Sequence, residues 1–151
     1  MNADAFVELD EVLIPTGKKI DVTNTDFDFR HGRNLEDGIV SSSKQNLIAD
    51  HGYDHYFIFN PAERGQITVK EPDSGRVMDV KTTQQGTVMY TANTLSSDLR
   101  LLEGNSSPYL GVCFETQGSP ASLHHRDFPT VILKADETYE KQTTFTFSTE
   151  A

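Results

Sequence analysis

Short runs of β-branched and aromatic residues, separated by turn sequences, most constrain what this chain can fold into. In the last run Phe145 and Phe147 alternate with threonines at the two-residue period of a half-buried strand. Helical periodicity is confined to one or two turns at 43–49, where a serine can cap the start. The pattern predicts an all-β fold, an antiparallel β-sandwich or part of one. The runs lie at 56–59, 67–69, 77–80, 87–90, 110–114, 130–133 and 143–147.

The first 45 residues have a different character. They contain Pro15, Gly17, Gly32 and Gly38, with a serine triplet at 41–43, and little periodicity. We therefore predict an irregular segment that wraps on a sheet. No internal repeat and no linker divides the sequence, so residues 1–151 are expected to form a single domain.

The charge balance narrows the classes of partner. The chain has 23 acidic and 13 basic residues, a net charge of −10. Nucleic acid and anionic membrane surfaces would be repelled, so neither is expected as a partner. The amino terminus lacks the pattern of a signal peptide, and no apolar run is long enough to span a bilayer. A cytoplasmic location fits these features.

The only cysteine is Cys113, so no disulfide can form within the chain. Leu110, Val112 and Phe114 surround it in an apolar run. This setting favours a small buried hydrophobic residue over a reactive thiol. A single cysteine is compatible with a reducing compartment but does not require one.

Two stretches concentrate residues that could carry chemistry. Residues 50–55 hold two aspartates and two histidines, and His51 and His55 would share a face of a helix. Gly52 and the following apolar run favour a polar turn leading into a strand, so no metal site is predicted. Glu115 ends an apolar run and points either to solvent or into a cleft. Residue type alone favours solvent, since buried charges are rare.

Eight phrases, in order along the chain, resemble the carboxyl-terminal half of the aldose 1-epimerase (galactose mutarotase) family. Each phrase is weakly specific by itself, but their shared order and plausible spacing make a chance match improbable. The phrases are LIPTG at 13–17, FDFR at 27–30, GYDH at 52–55, SGRVMDV at 74–80, YTAN at 90–93, FETQ at 114–117, HRDFP at 125–129 and TTFTFS at 143–148.

The resemblance implies a fold, an activity and two site residues. The fold is part of a galactose mutarotase-like supersandwich. The activity is interconversion of the α and β anomers of an aldohexose such as galactose or glucose, without a cofactor. By this resemblance Glu115 is the general base and Asp54 contacts the sugar hydroxyls. His55 belongs to the same phrase as Asp54 and is expected to have a structural role.

One part of the family pattern is missing. The family's general acid is a histidine of the amino-terminal half. No histidine of this chain matches its position, including those at 51, 55, 124 and 125. We therefore expect a fragment of a longer enzyme that is weakly active or inactive alone. Its exposed sheet would be covered by the missing amino-terminal half or by a second chain. The alternatives are a carbohydrate-binding or regulatory protein that lacks the acid, and a structural protein that assembles through the exposed sheet.

Overall fold

The computed structural model describes residues 1–61 and 65–150. Nearly all its regular structure is β, and neither helix in this part of the chain approaches the length and apolar character needed to cross a membrane. The elements are β1 Ala3–Leu9, β2 Pro15–Asp21, α1 Glu36–Ile39, α2 Lys44–Ile48, β3 Asp54–Phe59, β4 Gly65–Glu71, β5 Arg76–Thr82, β6 Gly86–Tyr90, β7 Cys113–Gln117 and β8 Thr143–Thr149.

Two antiparallel sheets face each other. The first sheet has the strand order β2-β1-β3-β6-β7 and the second the order β4-β5-β8. The chain leaves the first sheet after β3, forms the β4–β5 hairpin and returns as β6. The predicted antiparallel sandwich is thus the observed architecture.

The core lies between the sheets because one set of alternate side chains from each sheet points inward. Phe6 and Phe57 of the first sheet, and Ile67 and Val80 of the second, belong to one buried cluster. Phe27 joins this cluster from the segment after β2, with its ring stacked 3.9 Å from that of Phe6. We call this side of the first sheet its inner face, and the opposite side its outer face.

The outer face is partly covered by residues 118–129, which we call the strap. Ala121 and Phe128 of the strap pack against Val7 and Tyr56 of the outer face. The Tyr56 hydroxyl donates a hydrogen bond of 3.0 Å to the carbonyl of Gln117, the last residue of β7 and the one that precedes the strap. These contacts place a second, smaller apolar cluster over the β1–β3 part of the outer face.

The strap is also attached at its far end. The ring of His125 lies directly on Gly17, where an added Cβ would come within 2.3 Å of the histidine. The Lys19 ammonium donates to the carbonyl of Asp127 and lies 4.7 Å from the centre of the Phe128 ring. The phrases at 13–17 and 125–129, distant in sequence, therefore meet in space.

The sequence-based prediction of secondary structure is right in most places, wrong in the first 45 residues and at 130–133, and starts β7 too early, at 110 and not at Cys113. The short helix at α2 is confirmed, with Ser43 as its N-cap. The irregular segment predicted for the first 45 residues instead contains β1 and β2. A bulge between Val7 and Leu9 interrupts the alternation of β1 and hides the strand from a periodicity argument. The strand predicted at 130–133 is absent, because the described part of the chain offers this run no strand partner and leaves its side chains exposed.

Candidate functional site

Asp54 and Glu115 lie on the same face of the first sheet. Asp54 on β3 is paired with Tyr90 on β6, and Val88, two residues before Tyr90, is paired with Glu115 on β7. Directly paired residues, and residues two apart in one strand, point to the same side of a sheet. The register therefore places both carboxyl groups on the outer face, on the two strands that flank β6.

The negative charge of Glu115 acts on Asp54. The pKa of Asp54 is raised above its ordinary value, first because the side chain is partly buried and second because of the negative charge of Glu115. Asp54 is half-buried, whereas Glu115 is exposed. Strands are about 5 Å apart, so roughly 10 Å of sheet separates the two backbones, with β6 as the floor between them.

The position of Glu115 in its strand differs from the prediction. The sequence places it at the end of an apolar strand, whereas β7 begins only at Cys113 and Glu115 is its central residue. Residues 110–112 do not extend the strand. Paired on one side with β6 through Val88, Glu115 is held by the strand itself and not by a loop.

Cys113 corrects another prediction. It is exposed, not buried. Val112 and Phe114 pack against the core, so the side chain between them points the other way, to the outer face. Tyr90 is paired with Cys113 on one side and with Asp54 on the other, so the thiol and the Asp54 carboxyl group lie on the same face, one on each side of Tyr90. The apolar run was identified correctly, but the face on which its cysteine lies was not.

The histidines beside this site do not face it. His55, the residue after Asp54, is fully buried on the inner face, where its ring meets the edges of Phe6 and Phe27. Burial lowers its pKa to about 3, so the ring is neutral at physiological pH. Its Nδ1 accepts a 3.1 Å hydrogen bond from the backbone N–H of Asp54. This contact suits the structural role expected of His55.

The remaining histidines are dispersed. His51 is exposed in the turn before β3, and His124 is exposed in the strap. Across the described ranges, 1–61 and 65–150, no three histidine, cysteine, aspartate or glutamate side chains group in a way that could hold a metal ion. The four-residue spacing of His51 and His55 does not place them on one face of a helix, since His51 lies in a turn and His55 in a strand.

The phrase at 27–30 contributes to the fold and not to the site. Arg30 donates from two nitrogens to the Asp28 carboxylate, at 2.9 and 2.7 Å, and from a third to Asp4. These bonds lower the pKa of Asp28 to about 2. The guanidinium is thus occupied by carboxylates of this chain, at the end of the segment that delivers Phe27 and Phe29 to the core.

A cavity of about 1100 Å³ opens on the inner side of the first sheet. It is lined by Phe29 and Leu35 from the loops, Val69 of β4 and Phe114 of β7, with Arg33 at its polar side. Arg33 is paired with Asp26 and Asp37. The cavity therefore lies across the sheet from the Asp54 and Glu115 side chains and is separate from them.

The sequence predicts roles for Asp54 and Glu115 but none for the residues around them. Tyr90 lies between the two carboxyl-bearing strands, and Thr91 and Asn93 contact the backbone that precedes Asp54. All three belong to the phrase at 90–93. A signal for them was therefore present, but their proximity to Asp54 depends on the β3–β6 register.

Comparison with known proteins places this geometry in a family context. The family model described as aldose 1-epimerase matches residues 1–146. Galactose mutarotase from Bos taurus is 37% identical over 155 residues, which cover 98% of this chain and 42% of that protein. Aldose 1-epimerase from Haemophilus influenzae is 29% identical, over 97% of this chain and 43% of its own length. The chain thus spans less than half the length of the curated relatives it matches.

Solved structures agree with these matches. The galactose 1-epimerase from Lactobacillus acidophilus has a TM-score of 0.80 and 26% sequence identity, and covers 100% of this chain and 43% of its own. The aldose epimerase homologue from C. elegans has the same fold, with a TM-score of 0.81 at 24% identity over 99% of this chain and 44% of its own. The predicted all-β sandwich is confirmed as one part of a larger fold.

Proposed function

Because the chain belongs to the aldose 1-epimerase family, we propose that it supplies the general base and a sugar-orienting carboxylate of a mutarotase. The substrate is an aldohexose such as galactose or glucose, and the site is the uncovered part of the outer face. The observation that carries the proposal is the placement of Asp54 and Glu115 on that face, on the strands that flank β6. The gap between them lets one sugar ring contact both.

Glu115 is the proposed base. Anomer exchange begins when the anomeric hydroxyl loses its proton while the ring oxygen gains one. The C1–O5 bond then breaks, the C1–C2 bond rotates, and closure of the ring yields the other anomer as both protons return. An exposed carboxylate can take the proton if it lies within hydrogen-bond reach of the hydroxyl. Its place in mid-strand favours a fixed approach to the substrate.

Asp54 is the proposed orienting group. A carboxylate accepts hydrogen bonds from two neighbouring hydroxyls and so limits how the sugar can lie between β3 and β7. The side chain is half-buried and emerges from the first residue of its strand. This combination supports a contact residue whose backbone is held while its carboxyl group stays accessible.

The acid that protonates the ring oxygen is proposed to come from another segment. His55 faces the core and His125 packs on Gly17, so neither supports this role. The relatives are more than twice as long as this chain. An amino-terminal half that brings the acid to the outer face completes the set.

The same half is proposed to cover apolar surface that the described residues leave open. Phe145 and Phe147 of β8 are paired with Val80 and Met78, so they point to the inner side of the second sheet. They are nevertheless 46% and 75% exposed. Large inward-facing aromatic side chains without cover indicate a missing layer. A carbohydrate-binding protein without catalysis is the alternative, but no particular observation favours it.

Polarimetry tests this proposal. The chain alone, and the chain joined to the amino-terminal half of an aldose 1-epimerase, are added to freshly dissolved α-galactose or α-glucose. We expect the joined protein to accelerate mutarotation and the chain alone to be about 10²–10⁴-fold slower, the typical effect of a missing acid or base. A joined protein that is folded but inactive would contradict the proposal. Equal rates for the two would contradict the need for an external acid.

A further inference from the structure

The turn that precedes Asp54 has an unusual backbone. Asp50, His51 and Gly52 all have positive φ, at 56°, 62° and 152°. Glycine adopts such a conformation readily, but for Asp50 and His51 it is less favourable and persists only where the surroundings hold it. Two such residues next to Gly52, in the turn that leads to a proposed substrate contact, require an explanation in the neighbouring side chains.

Asn93 holds this turn from the β6 side. Its side chain is 4% exposed, and its amide nitrogen donates to the carbonyls of Ala49, at 2.6 Å, and Tyr53, at 3.1 Å. These two carbonyls lie on either side of the positive-φ residues. One buried amide therefore joins the end of α2 to the residue before Asp54.

Thr91 completes the contact. Its hydroxyl accepts a 3.0 Å hydrogen bond from the backbone N–H of Tyr53 and donates to the side-chain oxygen of Asn93. Its own N–H donates to the Tyr53 carbonyl at 3.1 Å. Both backbone polar groups of Tyr53 are thus bound by residues 91 and 93, which extends the pairing of β3 with β6 by one residue beyond Asp54.

The turn also packs tightly on these side chains. A Cβ added to Gly52 would lie 2.4 Å from the side-chain oxygen of Asn93 and 2.6 Å from the Thr91 hydroxyl. From the other side, the buried Asn46 donates from its side chain to the Gly52 carbonyl at 2.9 Å. The backbone before Asp54 is therefore fixed from two directions by buried hydrogen bonds.

From this arrangement we infer that Thr91 and Asn93 are positioning residues for sugar recognition, which hold the 50–53 turn so that Asp54 presents its carboxyl group at the site. The inference rests on the proposed function and deepens it. Thr91 and Asn93 act through the backbone of Tyr53, and their own polar groups are used within the protein. A displacement of about 1 Å at such a contact can cost about 10²-fold in rate.

The test uses the joined protein and five variants, of which Asp54→Asn is the reference for loss of the proposed substrate contact. Asn93→Ala and Thr91→Val remove the hydrogen bonds to the turn, whereas Thr91→Ser keeps the hydroxyl. The control Thr82→Val, in the second sheet, removes a comparable buried hydroxyl that donates to the Gln142 carbonyl. We expect kcat/KM for galactose to fall about 10–100-fold in Asn93→Ala and Thr91→Val. Thr91→Ser and Thr82→Val are expected to stay within about threefold of the parent, a change too small to signify lost positioning.

A second readout does not depend on activity. The titration of the Asp54 carboxyl carbon is followed by NMR in the same variants. Loosening of the turn exposes Asp54 to water, so we expect its raised pKa to move down toward the ordinary value in Asn93→Ala and Thr91→Val, but not in Thr91→Ser or Thr82→Val. If Asn93→Ala does not fold, the comparison of Thr91→Val with Thr91→Ser decides whether the inference holds.

The outcomes separate the inference from the proposed function. Unchanged kcat/KM and unchanged Asp54 titration in the Asn93 and Thr91 variants, with activity lost in Asp54→Asn, would overturn the positioning role. A shifted titration in these variants, with full activity retained by Asp54→Asn, would instead overturn Asp54 as a substrate contact while leaving the turn's support intact. A similar loss in Thr82→Val would also overturn the inference, because it would indicate general destabilisation.

Discussion

Replacement of Glu115 by glutamine is expected to reduce the mutarotase activity of the joined protein by about 10²–10⁴-fold, the usual contribution of a positioned base. Glutamine has nearly the same shape as glutamate but cannot take up the proton of the anomeric hydroxyl. Because Glu115 is exposed, the change should leave the fold intact. The measurement is the first-order rate of optical rotation change for α-galactose.

Glu140→Gln is the matched control, since Glu140 is exposed in the segment before β8 and lies outside the proposed site. It is expected to retain the parent rate. In the Glu115 variant the pKa of Asp54 should also fall, because one of the two causes that raise it has been removed. A Glu115→Gln protein with the parent rate would contradict the assignment of the base.

Replacement of Asp54 by asparagine is expected to make the protein less active and more stable. Asparagine keeps one acceptor oxygen but loses the other and the negative charge, so at least one charged hydrogen bond from a sugar hydroxyl is lost, and such a bond contributes about 1.5–3 kcal/mol. We therefore expect kcat/KM to fall by at least about 10–100-fold, at about 1.4 kcal/mol per factor of ten. The measurement is polarimetry at several galactose concentrations, with Asp73→Asn in the exposed β4–β5 turn as control.

The stability change has a defined pH dependence. Because the folded-state pKa of Asp54 is raised above the ordinary 3.8, the native state disfavours its charge, and this penalty is complete above the folded-state pKa. It disappears as the pH falls below the ordinary value, where the carboxyl is protonated in both states. Asp54→Asn should therefore have a higher Tm at pH 7, with the difference vanishing near pH 3. A lower Tm at pH 7 would contradict this account of the Asp54 environment.

The strands of the carboxyl part were predictable because their patterns are local. The alternation at 143–147 identifies β8, and the turn before Asp54 is evident from Gly52 and the apolar run that follows it. The bulge in β1 breaks the same kind of pattern. Phe145 and Phe147 illustrate another limit, since their spacing predicts that they share one face of a strand but not whether anything covers that face.

The site was predictable only in part, for a different reason. Asp54 and Glu115 are predicted as site residues only through short phrases that resemble a family, and nothing in their local spacing indicates a shared face. That relation depends on the pairing of β3 and β7 with β6, and the contact of Asn93 with Tyr53 depends on it as well. Cys113 was misplaced because hydrophobic neighbours indicate a strand without indicating which face each residue occupies.

An amide chemical-shift map of the joined protein, titrated with galactose, locates the bound sugar directly. We expect saturable shifts at Asp54, Tyr90 and Glu115 on the outer face of the first sheet, with small or no shifts at Phe29 and Leu35. Saturable shifts confined to the inner-side cavity lined by those two residues would contradict the proposed site, and would place the sugar on the wrong side of the sheet for Glu115 to act as its base.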